Sequence, residues 1–158
     1  MGIFGKIKSF FGFTGVKIEF TKIESPFPFG DSVFKANYEV KAGNDVTIKE
    51  IKHILYAKRN VKNGENTVEE DIELTQESTD DFNDIDVSFP HPIKAGETFE
   101  YGMCVGDIDI KSSLEVWGVH DASSAKAKGV TFFVKVEVDI LETAFTFDPE
   151  AEKEFVVE

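Results

Sequence analysis

Three histidines, one cysteine and a dense run of carboxylates are the residues of this chain with chemistry to offer. His53, His91 and His120 are the only imidazoles. None has the i, i+2 or i+4 neighbour with which a strand or helix builds a metal site locally. They read as three unrelated histidines, His53 in a strand and His91 in a loop between Pro90 and Pro92. Cys104 stands in YGMCVGD. That is a strand-like stretch without a nucleophile signature, so Cys104 reads as a small buried hydrophobe. A single cysteine excludes an intrachain disulfide and a Cys-based zinc cluster. Ser112-Ser113 and Ser123-Ser124 lack a G-x-S-x-G setting and read as turn or edge residues. The spacing yields no catalytic residue and no metal ligand set, and it implies no cofactor.

The carboxylates are concentrated. Residues 65–86 hold ten acids and no Lys or Arg. Within them, Asp80-Asp81-Phe82-Asn83-Asp84-Ile85-Asp86 has the look of a calcium loop. It lacks the glycine at the sharp turn and the distal glutamate. The segment therefore reads as the wet face of a strand and its loop, with weak calcium binding as the alternative. Residues 41–62 hold six Lys or Arg against two acids. Pairing the two segments across Asn63-Gly64 sets opposite charges face to face. Each such pair contributes about 0.2–1 kcal/mol, and its larger effect is on register and partner choice. A phosphate groove on the basic strand is disfavoured by the whole-molecule balance of 17 basic and 30 acidic residues, a net −13. The same balance argues against nucleic acid as a partner.

The first residues, MGIFGKIKSFFGFTG, carry the opposite sign. Residues 1–18 hold three lysines and no acid, so this stretch is +3 and the remainder −16. Ile3, Phe4, Ile7, Phe10 and Phe11 share one helical face, Lys6 and Lys8 lie beside it, and Gly12 and Gly15 are stop signals. The pattern predicts a short amphipathic helix within residues 1–14. These seven residues, five apolar and two basic, are the candidate interaction surface. A helix this short is marginal alone in water, so it must dock. Its own sandwich, a second copy in a homodimer, a protein partner and an anionic membrane are the choices. Three lysines give only about 3 kcal/mol of attraction to such a membrane. Peripheral membrane contact is then weak and salt-sensitive, and it ranks below docking on protein. No secretory or myristoylation signal is present, and no apolar run has the length of a membrane span. The expected location is the cytoplasm, with peripheral membrane association as the alternative.

After Gly15 the period changes from near 3.6 to two. Val16, Ile18 and Phe20 alternate with polar residues, as do Phe34, Ala36, Tyr38 and Val40. Residues 46–61 fit helix and strand patterns alike. The Asn63-Gly64 turn signal favours a long strand entering a hairpin. Further strands are read at Phe99–Val105, Leu114–Gly118, 129–140 and Phe155–Val157. Many short strands at even spacing predict an all-β fold, an antiparallel two-sheet β-sandwich. With 158 residues and 16 phenylalanines, the chain supports one core and one domain, residues 15–158. Phe20, Tyr38, Val87, Tyr101, Val116, Val134 and Val136 are expected in that core.

FGDSVFKANYEVKAG, TIKEIKHILYAKR and the closing FFVKVEVDILETAFTFDPEAEKEFVVE, together with the amphipathic opening and the VKIEF strand after it, resemble a known family. They are similar to the arrestin-fold sporulation-control proteins of the Spo-zero-M type, in their N-terminal arrestin-like domain. The family commonly has Pro-Gly where this chain has Phe29-Gly30. The strand that follows is one residue longer here, which implies a bulge or a change in which residues face inward. The resemblance implies an arrestin-like, immunoglobulin-like sandwich that binds other proteins as a regulatory module and has no catalytic site. Two other functions are open on the residues alone. One is a carrier of a lipid or small apolar ligand, suggested by the phenylalanines. The other is an enzyme whose site assembles only in three dimensions.

Overall fold

A computed structural model describes residues 15–78, 87–143 and 148–158. The predicted helix, with Ile3, Phe4, Lys6, Ile7, Lys8, Phe10 and Phe11, lies outside the described residues. So does the calcium-loop look-alike of residues 80–86.

Period-two alternation becomes strand along most of the described chain. β1 (Val16–Ile23), β2 (Phe34–Ala42), β3 (Val46–Asn63), β4 (Asn66–Ser78), β5 (His91–Ile93) and β6 (Thr98–Val105) precede two short helices. These are α1 (Ile110–Ser113) and α2 (Ala122–Ala127), with a 3-10 turn at Glu115–Trp117 between them. β7 (Thr131–Ile140) and β8 (Glu150–Phe155) complete the order. β1, β2 and β6 form one sheet, in that order. β4, β3, β7 and β8 form the other, with β5 on β3. Every paired strand is antiparallel to its neighbours.

The ambiguous stretch 46–61 is strand, as the hairpin signal predicts. The turn itself sits one residue on. Asn63 pairs with Asn66, so Gly64 and Glu65 form a two-residue connection. Gly64 takes φ 68° there, a conformation that a side chain resists and glycine accepts. The two inner faces meet in one continuous core. Ile18, Phe34, Tyr38 and Val40 from one sheet pack with Ile51, Leu55, Val134, Val136 and Val138 from the other. Each fully buried aliphatic or aromatic side chain of this size contributes about 1.5–3 kcal/mol. Phe27 joins the core from the loop after β1. Its ring lies 5.5 Å from that of Phe34, and its backbone bonds Val156 and Glu158.

Several expectations are corrected. Leu114–Gly118 is helical, not a strand. Asp109 caps α1 by accepting from the backbone N–H of Ser112, the chain then tightens into the 3-10 turn, and Gly118 ends it at φ 71°. Leu114 and Trp117 face the core, and Val116 is 79% exposed rather than buried. Leu114 and Trp117 are three residues apart, the repeat of a 3-10 turn and not the two-residue repeat of a strand. The last strand ends at Phe155, and Val157 makes only an isolated bridge to Phe27. His91 opens β5 rather than lying in a loop. The extra residue in β1–β2 pairing is in β1, at Thr21, and β2 runs unbroken against β6. Tyr38, Val134 and Val136 are fully buried as expected, whereas Phe20, Val87 and Tyr101 are half-buried.

Candidate functional site

The residues with chemistry are dispersed over the sandwich. His53 is in the core, His91 lies beside Phe99 with ring centroids 4.9 Å apart and planes tilted by 49°, and His120 is in the loop before α2. Cys104 is exposed on β6 opposite Lys35, not buried, because it falls on the outward parity of its strand. Ser112 and Ser124 serve helix starts rather than turns or edges. Ser124 completes a capping box with Asp121, whose carboxyl is held below the usual range by the Ser124 backbone N–H and hydroxyl. Among the described residues, no group of three or more His, Cys, Asp or Glu side chains is arranged to hold a metal ion.

One polar pair crosses the core. Tyr38 Oη of β2 and His53 Nε2 of β3 are 2.8 Å apart, joining the two sheets by a buried hydrogen bond. The Tyr101 ring lies 5.8 Å from each of theirs. Burial pushes the His53 pKa down to about 3 and holds the Tyr38 phenol well above its ordinary value. The imidazole is therefore neutral at physiological pH, and the pair acts as a structural peg between the sheets.

The charged hairpin forms as its sequence predicts. Lys58 Nζ is 3.0 Å from a Glu69 carboxylate oxygen, and Arg59 Nη2 is 3.1 Å from Glu70. The outer face of this sheet is laced by aromatic rings. Tyr56 and Phe133 stack with centroids 5.4 Å apart, Lys58 Nζ sits 4.9 Å from the Phe133 ring, and Tyr56 donates to Glu152. Arg59 lies 4.6 Å over the Trp117 ring at the end of the sandwich. Beyond Lys58, which pairs with Thr131 of β7, residues Arg59–Asn63 of β3 pair with β4 alone. A two-stranded ribbon thus projects past its sheet. β3 has 18 residues and β7 only 10, so the longer strand overruns its neighbour.

Two surface clefts accompany these features. One, about 430 Å³, overlies Asn37, Glu39, Glu100 and Gly102 of the three-stranded sheet. The other, about 440 Å³, lies among Phe29, Asp31, Ile108, Lys111 and His120 at the helical end. The space between the sheets is filled by Tyr38, Phe27, Phe34, Ile18, Ile51 and Leu55, each at most 1% exposed.

No family model matches the sequence, and no curated protein matches it. Among solved structures, that of Spo0M, the sporulation control protein from Bacillus subtilis, matches with a TM-score of 0.59 at 13% sequence identity. The match covers 90% of this chain and 49% of that one, so this chain spans about half of the Spo0M chain. At that identity the likeness is one of fold. Two antiparallel sheets with few helices bear out the sandwich expected from the strand pattern and are consistent with the arrestin-like form that the resemblance implies.

Proposed function

We propose that this chain is a non-enzymatic protein-interaction module with a regulatory role, acting in the cytoplasm. The observation that carries the reading is the β3–β4 ribbon, which extends past its sheet with an exposed, charged surface. A projecting two-stranded element buries little of its own surface and is suited to contact with another molecule. The fold likeness supports the same direction, since Spo0M is a sporulation control protein. A carrier of apolar ligands draws no support from an interior packed with its own aromatic rings. No helix among the described residues is long and apolar enough to cross a membrane. Ile3, Phe4, Lys6, Ile7, Lys8, Phe10 and Phe11 offer a second contact surface on the strength of their segregated sequence. For it, a protein partner or a second copy ranks above an anionic membrane.

The test is affinity capture from native lysate with the immobilised full chain. Captured proteins are quantified by mass spectrometry against an unrelated domain of equal net charge. A discrete set enriched on this chain and eluted by excess free chain is the expected result. A profile indistinguishable from the charge-matched control would end the module reading.

A further inference from the structure

We propose that the outer edge of β4, over residues Asn66–Glu73, docks an extended basic peptide segment of a partner protein, which adds to the five-stranded sheet as a further strand. This rests on the module reading above and names the chemistry of its partner. Among the described residues β4 pairs only with β3. Alternate backbone N–H and C=O groups along its other edge therefore point away from the sheet, the arrangement that accepts an added strand. Nearer its end the strand is tied down, because Thr75 donates its hydroxyl to the Gly106 carbonyl. The accessible stretch is the first half of β4, where every residue from Asn66 to Glu69 is exposed.

Charge selects the occupant. Residues 65–73 carry five carboxylates, Glu65, Glu69, Glu70, Asp71 and Glu73, and no cation. Glu69 and Glu70 are engaged by Lys58 and Arg59. Asp71 and Glu73 are exposed and make no ion pair among the described residues. Glu69, Asp71 and Glu73 stand on one face of the strand, opposite Asn60, Lys58 and Tyr56. Carboxylates at every second residue recur roughly every 7 Å, the repeat of an incoming strand with Lys or Arg at alternate positions. On the other face, 44%-exposed Val68 and half-buried Ile72 offer apolar neighbours to the residues between. A second copy of the chain is a poor occupant, since β4 against β4 sets carboxylate rows together on two bodies of net charge −13. The carboxylates thus bar self-pairing and admit a cationic strand.

The probe is a fluorescein-labelled, end-blocked peptide TKVKVKVT, titrated with the full chain at 50 mM and 150 mM salt and read by anisotropy. Two further peptides carry backbone N-methyl groups, one on its lysines and one on its valines, and a third has Glu for Lys. The basic peptide should bind saturably, and the Glu peptide should not. One N-methyl peptide should lose at least tenfold, because only alternate N–H groups face the edge. D71K/E73K should also lose at least tenfold. E100K/E154K, with the same change in charge on distant exposed strand positions, should bind within twofold of the unchanged chain. Circular dichroism confirms that both double variants fold. Equal binding of both N-methyl peptides would reduce the effect to charge attraction and overturn the proposal. So would equal losses in the two double variants, or no binding by the unchanged chain. Retention of all captured lysate proteins by D71K/E73K would overturn the edge assignment and leave the module reading standing.

Discussion

His53 shows how much a single residue's meaning depends on its surroundings. As one of three scattered imidazoles it had no visible role. In the fold it is buried to 1% exposure and hydrogen-bonded across the sandwich to Tyr38. The sign of its titration follows. Its ordinary pKa is 6.5 and its folded value about 3. Between these values the unfolded chain binds a proton that the folded chain refuses. Stability present above pH 6.5 is therefore lost as pH falls, by about 1.4 kcal/mol per pH unit until the folded value is reached. The check is urea unfolding between pH 7 and 4.5, comparing the unchanged chain with Y38F/H53F. The double variant should lack this share of the slope, and equal slopes would show that His53 does not titrate as described. Tyr38→Phe alone should cost about 1–3 kcal/mol at pH 7, because it strips the His53 nitrogen of its partner across the sheets.

At the scale of elements, local chemistry decides which patterns become strand. Leu114 and Val116 alternate with polar residues, yet they sit in a stretch begun by an aspartate cap and closed by a left-handed glycine. The cap and the C-terminal glycine were the better signals, and the alternation over so few residues was coincidence. The same holds for α2, where Asp121 and Ser124 form a reciprocal capping box. Asp121→Ala should cost about 1 kcal/mol in chemical denaturation. Asp121→Asn, which keeps an acceptor for the Ser124 N–H, should cost less. Equal losses would mean that the cap acts through charge rather than through the hydrogen bond. Bulges account for the other local departures. Thr21 in β1, Lys49 in β3 and Leu74 in β4 are each one residue more than the partner strand provides. A sequence pattern of strict period two has no means of marking them.

The whole molecule is an acidic body with a basic start. Removing residues 1–12 deletes Lys6 and Lys8 and takes the net charge from −13 to −15. With protein contact ranked first, the truncated chain should show a lower thermal midpoint, or a lower mass in solution if a dimer is lost. Co-sedimentation with anionic vesicles should be little changed at 150 mM salt, where screening confines attraction to about 8 Å. Calorimetry, light scattering and sedimentation read the three separately. Loss of sedimentation alone would put the segment on the membrane, and no change in any would remove it as a contact surface.

The sequence by itself determined the class of fold and much of its pairing. Alternation in β2 and β7 is a local pattern that a chain can hold in only one way without exposing its apolar face, and the turn signal at Asn63-Gly64 decided the strand at 46–61, whose own pattern fits helix and strand alike. The arrestin-like resemblance was carried by motifs such as FGDSVFKANYEVKAG and TIKEIKHILYAKR, and the likeness to the Spo0M structure agrees with it at the level of fold. The position of the ribbon beyond its sheet and the meeting of Tyr38 with His53 were decided only in three dimensions. Each depends on where a second strand ends or which strand lies across the core. Pairs 15 residues or more apart in the chain become neighbours through the packing of two sheets, and no short-range pattern records that distance.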